Sequence, residues 1–121
     1  MKVTDYYPIF YTEDMEKEIR RYSEDLGFTL IHKPQIEYLD YAVLENENKR
    51  RIDLVHSYFP ADSFSEGFLG MRVNVDSFEE GVSYFEKQGY TIFGTAHESV
   101  SSIVALLTNG SGSYIVVFQH K

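Results

Sequence analysis

Residues 25–31 read Asp-Leu-Gly-Phe-Thr-Leu-Ile, and residues 87–93 read Lys-Gln-Gly-Tyr-Thr-Ile-Phe. Gly27 aligns with Gly89, so the two segments repeat at an offset of 62 residues. In each segment an amphipathic stretch ends at a glycine and a β-rich stretch follows, which is the pattern of a helix that leads into a strand. This repetition predicts two copies of one small module, and we expect any functional site to lie between the copies.

The rest of the chain gives the same order twice: a strand, a helix and three strands. Ser77 with Glu80 forms a capping box at the start of the second helix, and Pro8 predicts that the first strand is an edge strand or contains a bulge. The helix residues Met15, Ile19 and Tyr22 match Phe78, Val82 and Phe85 at an offset of 63, and Ile52 matches Ile115 at the same offset. The change to 62 after the helix therefore means one residue fewer in the second copy. The predicted strands cover 6–12, 28–33, 38–44, 51–58, 70–75, 90–94, 103–108 and 114–120, and the predicted helices cover 14–26 and 77–88.

The length of 121 residues suits one domain with one core. We predict module 1 at about residues 1–59, a linker at about 60–67 and module 2 at about 68–121. The formal charge of −8 makes this an acidic protein and disfavours nucleic acid and anionic membranes as partners. The absence of cysteine, of a signal-like N-terminus and of a long apolar run predicts a cytoplasmic location.

Two motifs carry a resemblance to a known family. The first runs from Thr12-Glu13-Asp14-Met15-Glu16-Lys17 through Tyr22 to Asp25-Leu26-Gly27-Phe28, and the second is Gly112-Ser113-Tyr114-Ile115. With the repeated βαβββ order, they resemble the vicinal oxygen chelate superfamily, which contains glyoxalase I, extradiol dioxygenases and bleomycin-resistance proteins. The resemblance implies an α+β fold in which two βαβββ modules form a curved mixed sheet, a cup with helices on its outer face.

Metal-dependent members of that superfamily bind a divalent ion through residues of four strands. The resemblance carries these positions over to Tyr7, Asp53, Gly70 and Val116, of which Asp53 alone has an ordinary ligand side chain. We therefore predict no metal and no other cofactor. The histidines fall on none of these positions and are interpreted as surface or strand-end residues: His32, His56, His97 and His120.

The alternation of Met71, Val73 and Val75 with polar residues predicts which face of the sheet lines the cup. The apolar residues must face the helices, so their neighbours face the cup, and the offset of 63 transfers this assignment to the other strands. The predicted wall is aromatic and aliphatic with a few polar groups, as a small organic ligand requires. Its residues are Tyr7, Ile9, Tyr11, Arg51, Asp53, Val55, Arg72, Asn74, Tyr114, Val116 and Phe118.

The first hypothesis for function is a metal-free protein that binds a small organic ligand and sequesters an aromatic or cationic compound, as in the bleomycin-resistance branch. It would be a homodimer and would have no catalytic residue. An alternative is a metal-dependent lyase, isomerase or dioxygenase that uses Asp53. A third is a metal-free enzyme in which Asp53 is the base and Arg72 stabilises an anion. The same residues would also suit a closed core or a dimer interface, with Asp53 in an ion pair with Arg51 or Arg72.

Overall fold

The computed structural model describes residues 1–34, 36, 38–58 and 64–121. In these residues the chain forms two helices and nine strands, so the predicted α+β class is confirmed. The strands are β1 (Val3–Tyr11), β2 (Thr29–His32), β3 (Leu39–Glu45), β4 (Arg51–Ser57), β5 (Gly67–Val75), β6 (Thr91–Ile92), β7 (His97–Glu98), β8 (Ser102–Thr108) and β9 (Tyr114–His120), and the helices are α1 (Met15–Asp25) and α2 (Phe78–Lys87). Neither of the helices in this described part of the chain has the length and apolarity needed to cross a membrane.

Both helices begin and end where the sequence predicts. The Asp14 side chain accepts a hydrogen bond from the backbone N–H of Lys17, and the Ser77 hydroxyl accepts one from the backbone N–H of Glu80. After each helix a glycine adopts a positive φ, 74° at Gly27 and 96° at Gly89. This left-handed conformation lets the chain leave the helix and enter the next strand.

The chain divides into two compact units, which we call the first unit (residues 8–69) and the second unit (residues 1–7 and 70–121). In the first unit β2, β3, β4 and the second half of β1 pair in that order, and β1 runs parallel to β4. Apolar side chains on one face of these strands pack against α1. This cluster contains Met15, Ala42, Leu44, Ile52 and Leu54, with Phe10, Ile19, Tyr22 and Phe28 at its margin.

In the second unit the first half of β1 is followed by β5, β9, β8 and β6, and β7 pairs with β8. Its core lies between one face of these strands and α2. The buried members are Val73, Val75, Phe78, Val82, Ala105, Leu107 and Val117. The predicted orientation of β5 is therefore confirmed, because Val73 and Val75 face the helix.

The strand pairings confirm the offset of 63 derived from the sequence. Ile9 pairs with Asp53 in the first unit, and Arg72 pairs with Val116 in the second. The β3–β4 and β8–β9 hairpins have the same register, since Leu39 lies opposite Ser57 in the first and the equivalent Ser102 lies opposite His120 in the second. Their loops also match. Asn46 Oδ1 accepts from the backbone N–H groups of residues 48 and 50, and Asn109 Oδ1 accepts from those of 111 and 113.

Two details of the strands differ from the sequence prediction. β1 begins at Val3, three residues before the predicted start, and in the first unit its second half is the last strand of the order, beside β4. Pro8 lacks an N–H donor but lies directly before Ile9, the first residue that pairs with β4. The two-residue strand β7 was not predicted, because so short a segment has no readable periodicity. Half of the predicted linker, residues 60–63, lies outside the described residues, and the boundaries of the modules stay a prediction.

Candidate functional site

In each unit, the predicted wall residues lie on the sheet face opposite the helix. Ile52 and Leu54 pack against α1, so the alternate residues of β4 point to the other side. The same argument applies to β5 and β9, where Val73 and Val117 pack against α2. On the opposite face the first unit carries Ile9, Tyr11, Arg51, Asp53 and Val55, and the second unit carries Tyr7, Arg72, Asn74, Tyr114, Val116 and Phe118.

Asp53 is the chemically most informative residue of the first unit. Its side chain is fully buried, with 0% exposure, and it accepts a hydrogen bond at Oδ2 from the hydroxyl of Tyr41, which is also buried. Tyr41 lies opposite Val55, and Asp53 lies opposite Val43, so the two residues are diagonal neighbours on β3 and β4. A carboxylate without water around it depends on such donors, because its charge is otherwise unfavourable in the protein interior.

Tyr41 is a site residue that the sequence reasoning missed. It falls within a predicted strand, but faces were assigned only to the strands equivalent to β1, β4, β5 and β9. The signal that would have found it is the loop that begins at Asn46, because this loop places Glu45 opposite Arg51. Once that register is known, residues 41 and 43 must share a face with residues 53 and 55.

Arg51 lies at the start of β4 and pairs across the hairpin with β3. Its Nε donates to Glu45 Oε2 at 2.8 Å. This hydrogen bond, together with the charge of Arg51, holds the pKa of the Glu45 carboxyl below its ordinary value. The predicted role of Arg51 as a group that orients a ligand stays a prediction, and the structure shows Arg51 bound to Glu45.

Arg72 forms the centre of the polar cluster in the second unit. Its guanidinium carbon lies 4.6 Å from the ring centroid of Tyr7 and 5.6 Å from that of Phe118, and Nη1 donates to Asn74 Oδ1 at 3.1 Å. The side chain is buried. Cation–π contacts with these two aromatic rings stabilise the charge of the guanidinium. The cluster also contains Val116, which is the β9 partner of Arg72.

All four histidines lie where the sequence predicted, at or near the ends of strands. His32 ends β2, His97 begins β7 and His120 ends β9. His56 is the penultimate residue of β4 and is half-buried. Its Nδ1 lies 2.9 Å from the carbonyl oxygen of Thr12, and its ring stacks on that of Tyr11.

Comparison with known proteins bears on the fold alone. No family model and no curated protein matches the sequence. Among solved structures, methylmalonyl-CoA epimerase from Mycobacterium tuberculosis superposes with a TM-score of 0.72 at 17% identity, over 97% of this chain and 88% of that one. The chain has the glyoxalase/bleomycin-resistance-like α+β fold. The fold predicted from the resemblance is thereby confirmed.

Two further structures share this glyoxalase/bleomycin-resistance fold. A hypothetical protein from Bacillus halodurans matches with a TM-score of 0.69 at 16% identity, over 99% of this chain and 94% of that one. A variant of Streptomyces coelicolor methylmalonyl-CoA epimerase, in complex with 2-nitronate-propionyl-CoA, matches with a TM-score of 0.71 at 12% identity, over 98% and 95% of the two chains. At these identities a shared fold does not establish a shared reaction.

The metal site of this superfamily can be tested against the residues present. Val116 has no donor atom, and a neutral Tyr7 is a poor ligand for a divalent ion. Gly70 has no donor either, and its backbone packs so closely on β9 that an added Cβ would lie 1.8 Å from the carbonyl oxygen of Tyr114. Within the described residues, no three or more His, Asp or Glu side chains lie close enough together to share an ion. The donor set at these positions does not fit a divalent metal.

Proposed function

We propose that this chain is an isomerase that acts on a small acyl compound by proton transfer at Asp53. The observation that carries the proposal is the buried carboxylate of Asp53 with the hydroxyl of Tyr41 bound to it, on the sheet face opposite α1. The methylmalonyl-CoA epimerases that share the fold support the class of reaction, because their alignment extends over 97% or 98% of this chain. The buried carboxylate and the similarity to epimerases together favour an isomerase over a protein that only sequesters a ligand.

The chemistry requires a base beside a carbon that is next to a carbonyl group. In the proposed step the C–H bond of that carbon breaks, Asp53 takes the proton, and the electron pair moves to the carbonyl oxygen to give an enolate. A proton from water then returns to the carbon, and the hydroxide that is left takes the proton from Asp53, which restores the carboxylate and the water. Return from the opposite side inverts the centre. No oxidant or reductant is needed. Because Asp53 exposes no surface, the substrate must first displace the hydroxyl of Tyr41 from the carboxylate.

The test uses racemic methylmalonyl-CoA in D₂O, with loss of the proton signal on the carbon between the two carbonyl groups followed by NMR. We expect the wild-type protein to accelerate exchange and Asp53→Asn to lose at least about 100-fold of that acceleration. Asp40→Asn is the matched control, because Asp40 lies on the adjacent strand β3, is partly exposed and pairs with Lys33 at 3.2 Å. Far-UV circular dichroism establishes that both variants are folded.

Three results would contradict the proposal. Exchange by the wild-type protein at the rate of buffer excludes turnover of this thioester, and equal exchange by the wild type and Asp53→Asn excludes Asp53 as the base. If Asp40→Asn loses as much activity as Asp53→Asn, the loss reflects a general effect of removing a carboxylate from the hairpin rather than proton transfer.

A second candidate is a metal-free protein that binds an aromatic or cationic small molecule without turnover, as a homodimer. The observation that favours it is the misfit between the metal-ligand positions and their residues, above all the packing of Gly70 on Tyr114. Such a ligand would raise the melting temperature of Asp53→Asn and of the wild type equally, and neither protein would catalyse exchange. Light scattering after size exclusion tests the dimer.

A further inference from the structure

One end of the β3–β4 hairpin carries aromatic residues that the proposed function does not use. Beyond the last pair of the ladder, the backbone N–H of Tyr58 donates to the carbonyl oxygen of Tyr38 at 3.0 Å. Tyr58 is 70% exposed and Tyr38 is 52% exposed. His56, two residues before Tyr58, is half-buried beside them. Large exposed rings that cluster in this way are typical of binding surfaces.

The tautomer of His56 follows from its hydrogen bond. The carbonyl oxygen of Thr12 can only accept, so Nδ1 of His56, at 2.9 Å, must carry the proton. In the neutral ring Nε2 is therefore an acceptor. Among the described residues Nε2 has no hydrogen-bond partner, so it can accept a hydrogen bond from a bound molecule.

The ring of His56 is held in place by a stack of aromatic rings. It stacks on the ring of Tyr11 at 6.0 Å and 26°, and Tyr11 stacks in turn on Phe64 at 5.2 Å and 14°. Tyr11 and Phe64 are both buried, so the stack anchors the imidazole to the core of the first unit. A side chain that is already ordered loses little entropy when it binds a ligand.

The rings of Tyr58 and His56 form the two sides of a corner on the protein surface. The two rings are perpendicular, at 90°, with centroids 5.5 Å apart. Since Tyr58 is 70% exposed, within the described residues its ring offers a surface for stacking beside the imidazole of His56. Tyr38, at the other side of the ladder, has a φ of 66°, a left-handed conformation that is strained for a tyrosine and is found preferentially at functional sites.

We propose that this corner is a second binding site, for a neutral planar aromatic compound that carries a hydroxyl or N–H group. The ring of the compound stacks on Tyr58, and its hydroxyl or N–H donates to Nε2 of His56. The local charge favours a neutral compound, because Asp40, which lies opposite His56 on β3, forms an ion pair with Lys33 at 3.2 Å. The site does not depend on the proposed isomerase activity.

The test uses 2-naphthol, with 2-methoxynaphthalene as the probe that has the same ring system but no donor. NMR titration follows the ring protons of His56 and Tyr58. We expect 2-naphthol to shift both sets of signals and to bind about fivefold more tightly than 2-methoxynaphthalene. Tyr58→Ala should weaken 2-naphthol binding by about fivefold. Tyr6→Ala is the matched control and should leave it unchanged, because Tyr6 is 69% exposed and lies on β1 in the second unit.

Three outcomes would overturn this inference. They are the absence of shifts in His56 and Tyr58 up to the solubility limit of 2-naphthol, equal affinity for the two probes, and an equal loss of affinity in Tyr6→Ala and Tyr58→Ala. Asp53→Asn separates the two proposals. It should abolish proton exchange if the isomerase proposal is right, but it should leave the affinity for 2-naphthol unchanged whether or not that proposal is right.

Discussion

Replacement of Gly70 by alanine is the sharpest test of the structure around the superfamily's metal position. The added Cβ would lie 1.8 Å from the carbonyl oxygen of Tyr114 and 2.8 Å from its carbonyl carbon. Real Cβ atoms essentially never approach closer than 3.0 Å, so β5 and β9 must separate locally by 1.2 Å. The obstructing atoms belong to the backbone of a paired strand, which cannot rotate away as a side chain does.

The expected cost is about 3 kcal/mol or more of the free energy of unfolding, at the upper end for overpacked sites. With an unfolding entropy of about 2.1 cal/mol/K per residue, this loss corresponds to a melting temperature lowered by roughly 12 °C. The measurement is urea and thermal unfolding followed by far-UV circular dichroism. If the slope of the unfolding free energy against urea concentration equals that of the wild type, the variant exposes the same amount of surface on unfolding, and the shift in midpoint measures stability.

Gly81→Ala is the control for this experiment. Its Cβ would meet side-chain methyl groups, Val117 Cγ1 at 3.1 Å and Val75 Cγ2 at 3.2 Å, and alanine favours the interior of α2 by about 1 kcal/mol over glycine. We expect a stability within about 1 kcal/mol of the wild type. If Gly70→Ala is as stable as Gly81→Ala, the close packing at position 70 is refuted, and with it the argument that no ligand side chain fits there.

Four further predictions concern the polar groups. Tyr41→Phe removes the donor from buried Asp53 and should cost about 2 kcal/mol in urea unfolding; an unchanged midpoint would show that the bond contributes nothing. Arg72→Lys loses the planar contact with two rings and should cost about 1 kcal/mol by the same assay, and a more stable variant would contradict the role of that contact. Because the pKa of Glu45 is lowered in the folded state, its contribution is present at neutral pH and is lost as the pH falls below about 4.5; Arg51→Met should reduce the drop in urea midpoint between pH 6 and pH 3, and an equal drop would reject the link. Dialysis against EDTA should leave proton exchange unchanged, whereas a stoichiometric divalent ion in the purified protein would reject the assignment of a metal-free site.

The sequence predicted the helices, the strands and the orientation of β5 better than it predicted the contacts between side chains. The alternation at Met71, Val73 and Val75 was sufficient to orient β5, because only one face of a strand can pack against a helix. The glycines at 27 and 89 identified the helix ends for a similar reason, since each adopts a positive φ that other residues rarely adopt. These features depend on local chemistry, which a sequence records directly.

Contacts between side chains were harder to predict because they depend on register and rotamer. The bond from Arg51 to Glu45, its partner across the hairpin, was not predicted, and the expected role of Arg51 toward a ligand stays a prediction. The bond from Tyr41 to Asp53 is diagonal and follows only when the hairpin loop is known. His56 was correctly placed at a strand end, yet its stack with Tyr11 joins residues from different strands that no sequence pattern relates.

The matching hairpins 39–57 and 102–120 also preserve a history of the chain. Neither has gained or lost a residue relative to the other, and the identical pairs are Ala42 with Ala105, Leu44 with Leu107, Asn46 with Asn109, and Ile52 with Ile115. The apolar members of these pairs pack against a helix, and the asparagines hold the loops. On the other face every pair differs, including Asp53 with Val116. Identity between the two hairpins thus occurs only where a side chain packs against a helix or closes a loop, and the face that would meet a ligand has a different composition in each half.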